Sequence, residues 1–181
     1  MEQETQKLTK WVFDKAHSSA EFSVRHMMIS NVNGRFNEME GTIYGSPDNL
    51  ENAVAEVVIK AASVDTREPQ RDNHLRSADF FFAEKYPEIG FRSKKIRKIS
   101  EDEYKILGDL TIRGVTKEVE LKGTFEGSLK DPYGHIRMGI TVEGQIDREE
   151  WGLKWNSVLE TGGIMVGNKV KITVHVEAIQ Q

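Results

Sequence analysis

At 181 residues the chain suits one domain with a sizeable core. Its 25 basic and 29 acidic residues leave a net charge of -4 and a pI of about 5.8, without the electrostatic footprint of a nucleic-acid binder. It has no cysteine, which excludes a disulfide framework, a thiol nucleophile and a Cys-ligated metal.

Residues 1–9 are polar and read as a flexible tail ahead of a domain spanning 10–181. They contain no apolar run resembling a signal peptide, and no stretch approaches the roughly 18 apolar residues of a membrane helix. As given, the chain reads as soluble and cytoplasmic, unless a leader was removed.

Strand character begins at Trp11-Val12-Phe13, and a turn follows at Asp14 to His17. Ala20, Phe22, Val24, His26 and Met28 then share one face against Glu21, Ser23 and Arg25. Asn33-Gly34 is a hairpin signal, which makes Phe36 to Tyr44 the next strand. Pro47 to Leu50 reads as a loop with one helical turn. Ala53 to Ala61 alternates again. From 67 to 86 the two-residue period is lost. Arg71 to Arg76 reads as a short helix there, and Ser77 as the cap of a second helical start before Phe80-Phe81-Phe82.

Strands resume at Ile89 and continue through Tyr104–Ile112, Val119–Leu129, Ile136–Val142 and Val170–Ala178. Lys94, Lys95, Arg97 and Lys98 read as a basic run between strands, a solvated hairpin end or a patch for transient membrane-surface contact. Asp131-Pro132-Tyr133-Gly134 is a turn, and Gly162-Gly163 and Gly167-Asn168 punctuate the end of the chain.

Single-faced strands need a cover, and no long amphipathic helix supplies one. The sheet is therefore expected to close on itself, giving an all-β chain: a single eight-stranded antiparallel β-barrel, lipocalin-like, with a short helical insert at about 67–86. Eight strands enclose space for side chains or for one small ligand. Long strands of that girth make a deep, narrow tube, suited to a long apolar molecule unless the chain's own side chains pack it solid.

Several motifs match a known family in order along the chain. They are Trp11-x-Phe13-Asp14-x-x-His17-Ser18, Phe22-x-Val24-Arg25-His26-Met27, Val32-x-Gly34-x-Phe36, Arg71-Asp72-x-His74-Leu75-Arg76-Ser77-x-Asp79-Phe80-Phe81, Gly108 to Thr116, Asp147-Arg148-x-x-Trp151-Gly152 and Leu159-Glu160-x-Gly162-Gly163. On these the chain resembles the YceI-like proteins, a polyisoprenoid-binding group with a lipocalin-like barrel. The resemblance implies that a long isoprenoid lies in the barrel with its polar head near one mouth. Many relatives carry a secretory leader and act in the periplasm; the sequence given departs from them there.

The inward phase nominates an apolar lining of Phe22, Val24, Met28, Phe36, Val57, Ile59, Phe91, Ile112, Phe125, Ile140, Val142, Trp155, Ile172 and Val174. Head-group candidates are His26, Arg71, His74 and Arg148. His26 is either a core histidine or a donor to a ligand head. Arg71, His74 and Arg76 either grip a diphosphate or tie the insert to the rim, neutralised by Asp72 and Asp79. Arg148 follows a slip in the alternation, read as a bulge, where it pairs with Glu160 or meets the ligand. Trp151, Leu153 and Trp155 share one face at strand spacing.

The five histidines show no metal-ligand spacing, and no cofactor motif is present. His17 and Ser18 are strand neighbours on opposite faces, so no catalytic dyad is expected. The expected function is a carrier or sequestering protein for a long-chain isoprenoid, of the polyprenyl or quinone type, or a similar amphiphilic lipid. A stress-associated protein-binding module with a filled barrel is one alternative, and an enzyme acting on an isoprenoid-like substrate another. An open strand edge would allow a homodimer.

Overall fold

The computed structural model describes residues 8–181. The expected tail therefore falls mostly outside the described residues; of its last residues, Thr9 accepts a hydrogen bond at its carbonyl from the Gly45 N–H at 2.8 Å.

The chain forms a closed antiparallel meander. Strands β1 (Lys10–Phe13) and β2 (Ser19–His26) are two parts of one bent ribbon, as are β3 (Ser30–Phe36) with β4 (Met39–Ser46), and β5 (Asn49–Lys60) with β6 (Val64–Asp65). Five unbroken strands follow: β7 (Glu88–Lys98), β8 (Glu103–Ile112), β9 (Val115–Lys130), β10 (Ile136–Asp147) and β11 (Val166–Gln180). Each ribbon pairs with the next, and β11 closes the ring by pairing with β2 along Val166–His175 and with β1 along Ala178–Gln180. The result is the expected eight-stranded barrel with one short helix, α1 (Pro69–Arg76). Full closure pairs the strand edges that a two-faced sheet would leave open.

The alternation carries across irregularities that re-aim side chains. Phe125 pairs with Ile140 and Gly127 with Gly139, so Glu126 is an extra residue. Beyond that bulge the apolar phase moves outward, leaving Leu129 64% exposed. A second shift, between Ser93 and Lys95, places the buried Ser93 hydroxyl 2.8 Å from the Ala55 N–H, which donates to it.

Asn33-Gly34 does not make a hairpin. Both residues lie inside β3, where Asn33 pairs with Ser23 and Gly34 with Phe22, and the chain reverses earlier, at Met27–Ile29. The glycine answers a packing demand, because a Cβ there would meet Phe22 Cζ at 2.2 Å. Gly34→Ala should therefore push a lining ring aside and cost about 1–3 kcal/mol in urea unfolding. Phe22→Leu in the same chain should restore most of that loss; an additive loss would show that the ring is not the cause.

Other boundaries move for similar reasons. Pro47 and Asp48 form a tight β4–β5 turn without a helical residue, and β5 starts at Asn49. The basic run lies within β7, on the outer face, where Lys94 reaches Asp109 at 3.2 Å and Glu118 at 2.6 Å. Ser77 ends α1 instead of starting a second helix; its N–H bonds back to His74, and residues 78–85 continue as turns.

Apolar residues gather at both ends of the barrel. One end is sealed by Trp11, Phe13, Met39, Ile43, Tyr104 and Met138, with the Trp11 indole donating to the Gly45 carbonyl at 3.0 Å. At the other end Phe80, Leu110, Ile112, Trp151 and Leu153 pack beneath the insert, and the Trp151 indole donates to the Leu110 carbonyl at 2.9 Å. Between the two lies the cavity.

Candidate functional site

The barrel encloses a cavity of about 540 Å³. Its size falls in the range of small-molecule sites, roughly 300–1,000 Å³. Every nominated lining residue reaches its wall except Met28: Phe22, Val24, Phe36, Val57, Ile59, Phe91, Ile112, Phe125, Ile140, Val142, Trp155, Ile172 and Val174 all do. Met28 fails because β2 stops at His26. Met28 then sits in the turn with φ of 63°, and its side chain is 59% exposed. Leu110, Leu121, Ile146, Leu153 and Val170 also line the wall and were not nominated, although most share the same inward phase. Phe22, Phe36 and Phe81 stand in sequence, with ring centroids 5.6 and 5.5 Å apart, linking the strand wall to the insert.

Polar groups collect where the end of β2, α1, the end of β10 and the start of β11 converge. His26, Arg71, His74 and Arg148 all line the cavity there, but in different states. The His26 imidazole has no hydrogen-bond partner among the described residues. His74 Nε2 lies 2.8 Å from Asp79 Oδ2, and its ring meets Trp155 and Phe80 edge-on at 4.6 and 5.1 Å. This histidine–carboxylate pair is at the rim, with the two side chains 37% and 51% exposed, and not at the base of the tube.

The arginines mainly hold backbone. Arg71 donates from Nε and Nη2 to the Thr66 hydroxyl and carbonyl, both at 2.8 Å. Arg76 reaches the carbonyls of Ala62 and Val64. Arg113, in the β8–β9 turn, reaches those of Ala78 and Phe80, a tether that its sequence position did not announce. Asp72 and Asp79 do not neutralise these arginines as expected. Asp72 accepts from the Thr66 N–H and hydroxyl at 2.8 and 2.6 Å, and Asp79 pairs with His74.

Arg148 is 4% exposed and has neither the bulge geometry nor the Glu160 partner expected of it. It opens a turn of 3-10 helix (Arg148–Trp151) capped by the Asp147 carboxylate, and donates to the carbonyls of Gly167, Leu153, Trp155 and Val166 at 2.8, 2.6, 3.0 and 3.3 Å. Burial pulls it below the usual arginine value, with Glu149 and Asp147 opposing. The helical turn also takes Trp151 off the strand face expected to hold it with Leu153 and Trp155.

A second cluster lies on the outside, toward the sealed end. Asp14, His17 and Glu177 bring three potential ligand atoms within 4.8 Å, a grouping invisible in linear spacing. A cation of the chain already serves it: Arg137 lies 2.8 Å from Asp14, 3.3 Å from Glu177 and 2.7 Å from Asp131. Hydrogen bonds from His17 and then Arg137 hold Asp14 at about 2, and Arg137 holds Asp131 at about 2. A carboxylate held below its unfolded value of 3.8 adds stability above that pH and loses it as the pH falls toward about 2. His17 is raised by Asp14, so its contribution is complete below 6.5 and fades as pH rises through the raised value. The urea midpoint should accordingly drop between pH 4 and 2, and Arg137→Gln should flatten that drop; an unchanged slope in the variant would refute the assignment.

No helix among the described residues is long and apolar enough to cross a membrane. A family model described as a YceI-like domain matches residues 11–178. A UPF0312 protein of Staphylococcus aureus strain bovine RF122 / ET3-1 is 39% identical over 171 residues, covering 94% of this chain and 97% of that protein. The YceI protein of Campylobacter jejuni has the same fold at a TM-score of 0.76 and 34% identity, over 87% of this chain and 90% of that one. At lower identity the likeness is one of fold. BcnA of Burkholderia cenocepacia superposes at a TM-score of 0.80 with 21% identity, over 91% and 98% of the two chains. A polyisoprenoid-binding domain from Saccharophagus degradans, implicated in plant cell wall breakdown, superposes at 0.71 with 15% identity, over 97% and 100%. With the family model spanning nearly the whole barrel, the chain belongs to the YceI-like family.

Proposed function

We propose that this protein binds the apolar chain of an isoprenoid of the polyprenyl or quinone type, or of a similar amphiphilic lipid, inside the barrel and acts as its carrier or reservoir. The observation that supports this most is the cavity of about 540 Å³, walled by side chains such as Phe22, Val57, Phe91, Ile140 and Ile172. A barrel serving only as a scaffold for surface contacts would fill that space with larger residues, because an unfilled core forfeits packing energy. The relative described as a polyisoprenoid-binding domain gives the ligand class by analogy of fold.

Each buried methylene is worth about 0.8 kcal/mol against water. Against a bilayer, where the chain is already dry, that advantage cancels. Loading and release are then decided by shape and by a few polar contacts at the head. His26, lining the cavity where β2 ends, is the candidate for that contact, whereas Arg71 and Arg148 are largely engaged with backbone.

Native mass spectrometry of the protein purified gently from cells, with thermal melts in the presence of a polyprenol and a quinone, tests the proposal. Retained mass in the lipid range, or a melting temperature raised by either compound, is the expected result. Bare protein whose melting temperature neither compound moves would overturn it.

A further inference from the structure

The β2–β3 tip carries residues at odds with its backbone. Met27 and Met28 have φ of 49° and 63°, and the Ile29 N–H donates to the His26 carbonyl at 3.2 Å. Two consecutive left-handed residues are the mark of a type I′ turn, whose sterics favour Asn-Gly and disfavour larger side chains. This chain instead places two methionines and an isoleucine there, 37%, 59% and 76% exposed. The β4–β5 tip, with Pro47 and Asp48, has the turn chemistry expected of a hairpin end.

A second loop meets this tip. The Met28 sulphur lies where a Cβ on Gly163 would be 2.5 Å away, and beside it Val158 and Ile164 are 82% and 38% exposed. That loop is held in shape by the Val158–Ile164 bridge and by Asn156, whose carboxamide bonds the backbone of Ser157, Met165 and Val166. Arg25 steadies the tip by donating to the Met28 carbonyl at 2.9 Å. Both loops run directly into the cavity wall, since His26 precedes Met27 and Met165–Val166 follow Ile164. Apolar surface therefore extends from the exterior to the inner lining at the end that holds the polar groups.

We propose that Met27, Met28, Ile29, Val158 and Ile164 form a lip that inserts shallowly into a lipid bilayer, so that cargo enters and leaves the barrel without crossing water. This rests on the lipid-binding reading of the cavity. The occupant follows from shape and continuity. The five apolar residues of these two loop tips are far fewer than the roughly 20–30 residues a side of a stable protein interface, so a second copy would find little to bind. Exposed apolar side chains at a loop tip suit the headgroup–acyl boundary. A bilayer is also the one partner for which continuity with a lipid cavity matters.

The test uses a triple variant, Met27→Asn, Met28→Gly and Ile29→Ser, which gives the backbone the turn residues it favours and should melt no lower than the parent. Val158→Ser is a second variant, and Leu129→Asp, an exposed apolar residue near the sealed end, is the control. Uptake of a pyrene-labelled isoprenoid alcohol is followed from phosphatidylcholine–phosphatidylglycerol vesicles and, separately, from dilute ethanol. The parent's rate from vesicles should rise with vesicle concentration, and the triple variant should slow it about tenfold or more while uptake from ethanol stays unchanged. Unlabelled vesicles should float the parent and the control but not the triple variant.

An unslowed triple variant, a rate independent of vesicle concentration, or a parent that does not float would overturn the lip. So would a dimer of the parent that the triple variant dissolves with no change in flotation. A parent that floats yet takes up alcohol from neither source would leave the lip standing and remove the cavity reading.

Discussion

Val142→Trp combined with Val174→Phe is expected to weaken binding of an isoprenoid tracer by about two orders of magnitude while leaving the protein folded and at least as resistant to heat. The two valines are paired neighbours on the adjacent strands β10 and β11 and both line the cavity, Val174 also packing against the sealed-end cluster. Val142 contributes to neither of the packed end clusters, so an indole there enters the hollow and does not displace a neighbouring core residue. Two added rings deny the ligand contact for about four methylene groups, some 3 kcal/mol at about 0.8 each, or roughly a hundredfold in Kd. The same rings gain contacts with walls that otherwise face a void, which offsets any strain of insertion. The measurement is tracer fluorescence titration beside differential scanning calorimetry. A variant that melts well below the parent would mean that the interior had no room. One that binds undiminished would place the ligand elsewhere. Ala55→Phe, on β5, repeats the experiment from another strand.

What the sequence made legible was whatever depends on period two. The eight ribbons, the closure and the inward placing of thirteen of the fourteen expected wall residues follow from alternation, because burying one face of a strand leaves no freedom in where its side chains point. The failures lie where the period ends or a residue type has two uses. Met28 continues the count of β2 by arithmetic, but a turn intervenes and reverses its direction. Gly34 after Asn33 has the composition of a hairpin tip, yet its lack of a side chain serves the Phe22 ring lying across it.

The arginines were the hardest to read. A guanidinium that grips a ligand and one that grips a carbonyl are the same letter, and only tertiary structure shows that Arg71, Arg76, Arg113 and Arg148 face backbone oxygens. The motifs that mark the family are in large part this scaffolding. Asp147 caps the 3-10 turn, Arg148 collects carbonyls, Trp151 bonds Leu110, and Gly152 closes the turn at φ of 84°. The Asp14–Arg137–Glu177 cluster was illegible for another reason: its members come from distant segments that the closing of the barrel brings together.

Arg148→Met should then cost about 3–5 kcal/mol of folding stability, a large share of the roughly 5–15 typical of a domain. Methionine keeps much of the apolar stem and removes every donor. The carbonyls of Leu153 and Trp155 lose the partner that faces them, as does that of Gly167, and Val166 keeps only its bond from Asn156. These oxygens bracket the 156–165 loop, so the loss falls first on the lip and then on the Trp151 plug beneath it. Arg148→Lys should recover only a minor part, because one ammonium cannot span carbonyls on both sides of the loop as a planar fork does. Urea unfolding gives the stability, and proteolysis within 156–165 reports the local release. The competing role, a guanidinium reserved for a ligand head, makes the opposite forecast: Arg148→Met would fold with parental stability and lose only affinity. With the side chain 4% exposed and its donors directed at four carbonyls, the structural outcome is the one expected, and a variant that unfolds at the parental urea midpoint would reverse the assignment.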